Sequence, residues 1–344
     1  MSEIEVLVLP ISGGGFANQL GITHALSKNG FDTPLMFGAS GGNVAAYLTH
    51  AANFDPDLIR SIASELKPSM FCTPWFSAVT LYSYYHGYTK EGSIYNSGED
   101  NAAFFEKHFN ERVGEREIWT AAYNTTEQKT QLFCNRKEED SILGAFKINS
   151  EIYQVGSNVY ANEDLPLISS IVSASAAIPG LVPPQIINGH EYQDGGLACA
   201  SPMTAINSVI DEYNKVHIIF VNCENPYDIK ERKCKEGFLS EVSAARDIIL
   251  RNIVSNDRLR CYELLSRTCS TCACGAPKVY KETGYFDADA WDRIKLLRSS
   301  KIRTFVELYP LKPVVLDITK FKGSEVVDVI DGSEGNIGFN IWYI

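Results

Sequence analysis

Apolar positions in the first fifty residues change from continuous runs to helical spacing and back, and this pattern predicts a β-α-β-α unit. Residues 5–10 form an apolar run typical of a buried parallel strand. Helical spacing follows over residues 17–29, and Gly30 ends it. A short second strand over residues 35–37 leads through a tight turn into a helix over residues 43–52. Such a unit implies a parallel sheet with helices on its faces.

Strand-like apolar runs and helical spacing continue to alternate along the rest of the chain. Strand patterns cover residues 119–123, 130–134, 189–193, 216–222, 303–309 and 314–318. Helical patterns cover residues 56–66, 101–109, 163–174, 202–213 and 238–266. We therefore predict a three-layer α/β fold in which a mostly parallel central sheet carries helices on both faces. We expect one domain over residues 1–344, with a core of about 5–222 and residues 223–344 as an extension packed on it.

Composition and charge narrow the possible partners. The 344 residues are 45% hydrophobic and carry a net charge of −11, which disfavours binding to nucleic acid or to anionic membranes through a basic patch. Contact with a membrane or micelle would therefore be transient and apolar. The first residues do not read as a signal peptide, and no stretch reads as a transmembrane helix. Nine scattered cysteines are typical of reduced thiols, so we expect a soluble cytoplasmic protein.

Residues Gly38-Ala39-Ser40-Gly41-Gly42 match the pattern G-x-S-x-G between a predicted strand and a predicted helix. A serine in that turn must adopt a strained backbone conformation, which exposes its hydroxyl above the sheet. The helix that follows directs the positive end of its dipole toward the serine. Ser40 is therefore the candidate nucleophile.

A run of glycines, Gly13, Gly14 and Gly15, follows the first strand. Glycines let several backbone N–H groups converge on one point, where they could stabilise the negative charge of an acyl-transfer intermediate. The run does not match the nucleotide-binding pattern G-x-G-x-x-G, and no G-K-[ST] follows it. The alternative interpretation is a flexible turn after the strand.

A serine nucleophile needs a proton acceptor, and the chain offers six histidines and the motif Asp194-Gly195-Gly196. His217 lies inside an apolar strand pattern and is interpreted as a core residue, while His190 lies in a predicted hairpin turn. A direct carboxylate base is the alternative, provided that burial raises its pKa or that proton transfer is concerted.

These motifs, in this order, resemble the patatin-like phospholipase family over roughly residues 5–222. Residues 173–179 also resemble that family's Ser/Ala-rich segment, which ends in proline ahead of the aspartate. The resemblance implies a patatin-like fold with a Ser-Asp dyad, in which Ser40 is the nucleophile and Asp194 the base. It also implies an oxyanion hole formed by N–H groups of the glycine run and of Gly41.

The resemblance implies a lipid acyl hydrolase, such as a phospholipase A, a lysophospholipase or a general esterase. Such an enzyme acts on lipid or other acyl esters through an acyl-serine intermediate and requires no cofactor. The sequence departs from the family where G-G-G-x-[RK]-G is usual, because Ala17 replaces the basic residue and Asn18 the last glycine. This removes a cation near the site and puts a preference for phospholipid headgroups in doubt. The alternatives are an acyltransferase that uses the same dyad and an inactive binding protein on the same fold.

Two further features carry weaker hypotheses. The candidate substrate-binding residues are Phe16, Trp75 and Phe76, the last two within an aromatic stretch over residues 70–88. That stretch suits either a half-wet lipid interface or ordinary core packing. Cys269, Cys272 and Cys274 could bind zinc with Cys261 or Cys234, but no paired C-x-x-C or histidine motif accompanies them, so we expect no metal site.

Overall fold

A computed structural model of the chain contains a large mixed sheet with helices packed on both faces. It describes residues 3–74, 95–97, 103–104, 107–108, 116–135, 142, 153–155, 168–197, 213–228, 254–256, 258–261, 263, 265 and 279–344.

The strands are β1 (Glu3–Leu9), β2 (Leu35–Ala39), β3 (Cys72–Pro74), β4 (Tyr95–Ser97), β5 (Glu117–Asn124), β6 (Lys129–Cys134), β7 (Tyr153–Val155), β8 (Gln185–Ile187), β9 (His190–Asp194), β10 (Lys215–Val221), β11 (Tyr280–Tyr285), β12 (Arg303–Pro310) and β13 (Ile337–Tyr343). The helices are α1 (Phe16–Lys28), α2 (Gly41–Ala51), α3 (Pro56–Ser64), α4 (Ile168–Ser175), α5 (Ala288–Ser300) and α6 (Gly323–Asp331). Short 3-10 turns occupy Gly13–Gly15, Pro68–Met70 and Gly195–Leu197.

The centre of the sheet is parallel and its flanks are largely antiparallel. Strands β12, β10, β1, β2 and β5 are neighbours in that order, and each pair runs parallel. On one side β13 and β11 continue the sheet antiparallel, and on the other side β6 and β9 both pair antiparallel with β5. The prediction of a mostly parallel α/β fold is confirmed. Because parallel strands share a direction, the carboxyl ends of β1, β2 and β10 lie at one edge.

Each face of the sheet buries its own apolar cluster. On the first face Leu7 and Val306 pack against α1, α2, α3, α5 and α6. On the second face Val8 and Phe220 pack against side chains that include Cys261 and Leu265, in a helical segment. Full burial of one such side chain stabilises the fold by roughly 1.5–3 kcal/mol. The long apolar runs of the central strands exist because both faces are covered.

Strands from residues 279–344 complete the sheet. β12 pairs with β10, and β13 lies between β12 and β11. The sequence pattern did not predict α5, α6, β11 or β13. β11 is exposed along most of its length, so its sequence lacks the alternation of a half-buried strand.

The strand predicted over residues 314–318 is wrong. That segment is a loop that leads into a turn at residues 318–320, and no strand pairs with it in the described part of the chain. Val314 and Val315 are exposed, and the Val314 N–H donates to the side chain of Asn18 rather than to a neighbouring strand. The helix predicted over residues 202–213 lies almost wholly outside the described residues, and the one predicted over 238–266 is described only in part. None of the helices defined within the described ranges combines the length and apolarity needed to cross a bilayer.

Candidate active site

Ser40 stands in a sharp turn between β2 and α2. Its backbone has φ 52° and ψ −129°, a conformation that residues with a Cβ atom rarely adopt. Such backbone strain costs about 1–3 kcal/mol and persists only where the surrounding structure enforces it. β2 is buried along its whole length and α2 is buried at every position, so both ends of the turn are fixed.

The Ser40 hydroxyl donates a hydrogen bond to Asp194, with 2.7 Å between Oγ and Oδ2. The two residues are 154 positions apart in the chain. β9 brings Asp194 to the site, because its last residues pair with the end of β5, which itself lies beside β2. Ser40 is 2% exposed and Asp194 is 1% exposed, so the hydrogen bond lies in an environment nearly free of water.

Burial raises the pKa of Asp194 to about 7, because the carboxylate loses its hydration. Two hydrogen bonds oppose this effect, one from the Ser40 hydroxyl and one from the Gly196 N–H, whose nitrogen lies 2.8 Å from Oδ1. Both donors are neutral groups. The carboxylate is therefore a stronger base than an exposed aspartate while it remains ionised in a substantial fraction of molecules near neutral pH.

Ser175 supports the backbone of the turn, and the sequence analysis gave it no role. Its hydroxyl accepts a hydrogen bond from the Ser40 N–H at 3.0 Å and donates one to the Ala121 carbonyl at 2.7 Å. The Asp194 N–H donates to the Ala177 carbonyl at 2.9 Å. The Ser/Ala-rich segment over residues 173–179 therefore holds the backbone of both Ser40 and Asp194. The sequence marked the segment but not this particular hydroxyl.

The glycine loop, residues 11–15, lies directly against the start of α2. A Cβ atom built on Gly41 would stand 2.6 Å from the Gly13 carbonyl oxygen and 2.6 Å from the Ser12 hydroxyl oxygen. Only glycine at position 41 permits so close an approach. The Gly41 backbone and the glycine loop therefore share one small volume next to Ser40.

One of the four predicted oxyanion donors is already engaged. The Gly15 N–H donates to the Ser12 carbonyl at 2.8 Å within the 3-10 turn, so the prediction that it serves an oxyanion conflicts with this conformation. In a 3-10 turn the backbone N–H of each residue bonds to the carbonyl three residues earlier, which is why the Gly15 N–H bonds to Ser12. Gly13, Gly14 and Gly41 remain as candidate donors.

The two histidines considered as bases in the sequence analysis, His217 and His190, both lie in strands. His217 is fully buried, and its Nδ1 lies 2.9 Å from the Thr304 hydroxyl, as expected of a core residue. His190 begins β9 after a hairpin turn in which Asn188 and Gly189 both have positive φ.

The three candidate substrate-binding residues have different outcomes. Phe16 is 3% exposed and packs with Phe71 and Phe321, each at a ring-centroid distance of 6.0 Å. It belongs to the apolar cluster on the first face of the sheet, and its contact with substrate stays a prediction. Trp75 and Phe76 lie outside the described residues.

The described residues contain no group of three histidine, cysteine or acidic side chains that could hold a metal ion. Cys261 is buried in the core, whereas Cys234, Cys269, Cys272 and Cys274 lie outside the described ranges. The zinc hypothesis thus falls mainly on residues whose placement is not described.

Comparisons with known proteins identify the family of the chain. Curated protein sequences gave no match. Among solved structures, the chain is similar to VipD from Legionella pneumophila, at 12% sequence identity and a TM-score of 0.35, covering 97% of this chain and 67% of that one. The family model described as patatin-like phospholipase matches residues 9–205, which is more than half of the chain and includes Ser40 and Asp194. The chain therefore belongs to the patatin-like phospholipase family, as its motifs indicated.

Proposed function

We propose that this protein is a lipid acyl hydrolase that cleaves carboxylic esters with Ser40 as the nucleophile and Asp194 as the base. The observation that carries the proposal is the 2.7 Å hydrogen bond between a strained serine and a buried carboxylate. Members of the patatin-like phospholipase family are lipid hydrolases, which supplies the substrate class.

In the first step, ionised Asp194 accepts the proton of the Ser40 hydroxyl while the serine oxygen attacks the ester carbonyl. The carbonyl oxygen then carries a negative charge. The N–H groups of Gly13, Gly14 and Gly41 are the candidate donors to this oxyanion, and the α2 dipole adds a positive potential. Donors fixed by a buried backbone need little reorganisation as the charge develops.

The tetrahedral intermediate collapses when the ester C–O bond breaks, and protonated Asp194 gives its proton to the departing alcohol. This leaves an acyl group on Ser40 and an ionised Asp194. Water then repeats the sequence: Asp194 takes a proton from the water, the hydroxyl oxygen attacks the acyl carbon, and the proton returns to the Ser40 oxygen. The products are a carboxylic acid and an alcohol, and one carboxyl group serves both half-reactions.

The substrate requirement is the ester group rather than a particular headgroup. Ala17 stands where the family usually has a basic residue, and it is fully buried in the apolar cluster on the first face of the sheet. No cation at this position attracts a phosphate. We also propose that residues 223–344 belong to the same domain, since β12 and β13 extend the sheet that carries Ser40.

The test is an esterase assay on purified protein with Ser40→Ala and Asp194→Asn as variants. We expect the wild type to cleave a short-chain ester or a mixed phospholipid dispersion, and each variant to lose activity by about 10³-fold or more. An added alcohol acceptor distinguishes hydrolysis from acyl transfer, because transfer yields a new ester instead of free acid. A wild type that is inactive on all substrates, with variants that match it, would favour an inactive binding protein.

A further inference from the structure

Asn18, which stands where the family usually has glycine, connects three segments around the glycine loop. Its Nδ2 donates to the Val314 carbonyl at 2.6 Å and to the Cys223 carbonyl at 3.1 Å. Its Oδ1 accepts from the Val314 N–H at 3.0 Å. The side chain is 2% exposed, so these hydrogen bonds are shielded from water and leaving one of them unmade would be costly.

The segment that Asn18 holds, residues 311–318, is called here the C-terminal strap. It also contacts the glycine loop directly, since the Leu316 N–H donates to the Gly14 carbonyl at 3.0 Å. A Cβ atom on Gly14 would lie 2.0 Å from the Leu316 carbonyl oxygen, so the two backbones are in contact.

These bonds fix the orientation of the peptide groups in the glycine loop. The peptide between Gly14 and Gly15 is held at both ends, because its carbonyl accepts from Leu316 and its N–H donates to Ser12. The Gly13 carbonyl accepts from the Phe16 N–H, which fixes the preceding peptide, between Gly13 and Gly14. In a trans peptide the N–H points opposite to the carbonyl, so the Gly13 carbonyl sets the direction of the Gly14 N–H. The Ser12 carbonyl, which accepts from the strap-held peptide through the Gly15 N–H, sets the direction of the Gly13 N–H.

The loop is anchored at its entrance as well. The Gln19 side chain is fully buried, and its Nε2 donates to the Pro10 carbonyl at 2.9 Å and to the Val221 carbonyl at 3.0 Å. This ties the ends of β1 and β10 together beneath the loop. Asn18 and Gln19 are consecutive, so one turn of α1 holds the strand ends on one side and the C-terminal strap on the other.

We infer that Asn18 is a positioning residue for the oxyanion loop, which it holds against the C-terminal strap so that the Gly13 and Gly14 amides keep their alignment with Ser40. This inference rests on the proposed ester hydrolysis for its catalytic consequence. Its structural content, the ordering of the loop, is independent of that function.

The chain provides a matched control at the other end of the strap. Asn336 makes the same pair of hydrogen bonds to Lys312, accepting from its N–H at 3.0 Å and donating to its carbonyl at 3.3 Å. Asn336 holds the strap but makes no described contact with the glycine loop. Asn336→Ala therefore removes an equivalent side-chain clamp without touching the loop.

The experiment compares wild type, Asn18→Ala and Asn336→Ala by hydrogen exchange and by kinetics on a soluble short-chain ester. In Asn18→Ala we expect about tenfold faster exchange in peptides covering residues 12–16. We expect kcat per active site to fall about tenfold to a hundredfold, with KM changed less than about threefold, because the loss is in alignment at the reacting centre. In Asn336→Ala we expect both properties to stay near the wild-type values. Asn18→Gly serves as the second variant if the alanine protein does not fold.

The inference is overturned if exchange over residues 12–16 is unchanged in Asn18→Ala, or if Asn336→Ala reproduces its kinetic loss. It is also overturned if KM rises while kcat stays constant. Failure of the proposed function gives a different result, since wild type and Ser40→Ala would then be equally inactive while hydrogen exchange still decides the role of Asn18.

Discussion

Two carboxylates with a raised pKa lie at opposite ends of the parallel strands, and they differ in what surrounds them. Burial raises the pKa of Asp194 to about 7 and, despite an arginine beside it, that of Glu5 to about 7 as well. Asp194, at the carboxyl end of the sheet, accepts hydrogen bonds from two neutral donors, Ser40 and Gly196. Glu5, near the amino end of β1, forms an ion pair with Arg298. A raised pKa therefore does not by itself identify a catalytic carboxylate.

The backbone is regular around Glu5 and strained around the hydrogen-bond partner of Asp194. Glu5 lies within a regular strand whose neighbours on both sides run parallel. Ser40, the hydrogen-bond partner of Asp194, has in contrast a positive φ, and the buried elements β2 and α2 hold it in that conformation. Backbone strain of this kind persists only where the surrounding structure enforces it, and a regular strand has none.

The largest expected difference between the two carboxylates is in activity. Asp194→Asn should lower kcat for ester hydrolysis by about 10³- to 10⁴-fold, because the Ser40 proton then has no acceptor. Glu5→Gln should leave kcat within about threefold, since Glu5 contacts a structural arginine at the far end of the sheet. Steady-state kinetics, corrected for folded protein by circular dichroism, measures both. Comparable losses in the two variants would remove the distinction between the sites.

The features that could be predicted from the sequence are local ones. The Ser40 turn was predicted because the five-residue motif G-x-S-x-G stands directly between a buried strand pattern and a helical pattern. Asp194 was predicted because its motif matched a family pattern. The parallel centre of the sheet followed from long apolar runs, which indicate strands covered on both faces.

The features that could not be predicted depend on long-range contacts. Ser175 bonds to a residue 135 positions away, and no spacing rule marks that hydroxyl among the other serines of its segment. Residues 314–318 of the strap were predicted as a strand because their apolar residues fit the pattern, but the Val314 N–H donates to an asparagine 296 positions away. Gly15 was predicted as a donor, and only the coiling of the loop shows that its N–H is engaged.

The pH dependence of activity should follow Asp194 and not Glu5. Asp194 acts as a base only when it is ionised, so kcat/KM should fall about tenfold per pH unit below a pKa of about 7 and level off above it. Glu5→Gln should keep the same midpoint, although the pKa of Glu5 is also raised. A profile of kcat/KM between pH 5 and 9 on an uncharged ester measures this. A midpoint near 4 would mean that burial does not control the base.

The smallest expected effect is on stability, and its size distinguishes the two carboxylates again. Because the pKa of folded Asp194 lies above its ordinary value of 3.8, the unfolded chain loses this proton first as pH rises. The wild type therefore loses stability from about pH 4 to about pH 7, and the loss is complete above that range. Asp194→Asn lacks this titration, so its free energy of unfolding relative to wild type should rise by on the order of 3 kcal/mol between pH 4.5 and pH 8.

Glu5→Gln should gain less over the same interval. It also removes a titration with a raised pKa, but it leaves the Arg298 guanidinium, whose side chain is 12% exposed, without its counter-charge. The unpaired cation lowers the stability of this variant at every pH, whereas the pH-dependent gain follows the pKa of wild-type Glu5, which already includes the attraction of Arg298. That pKa rises from 4.5 to about 7, a smaller shift than that of Asp194 from 3.8 to about 7, so the gain is smaller. Urea unfolding at pH 4.5 and pH 8 measures both differences. A gain in Glu5→Gln larger than that in Asp194→Asn would contradict this order of the two shifts, and the energetic contrast between the paired carboxylate and the proposed catalytic one would be lost.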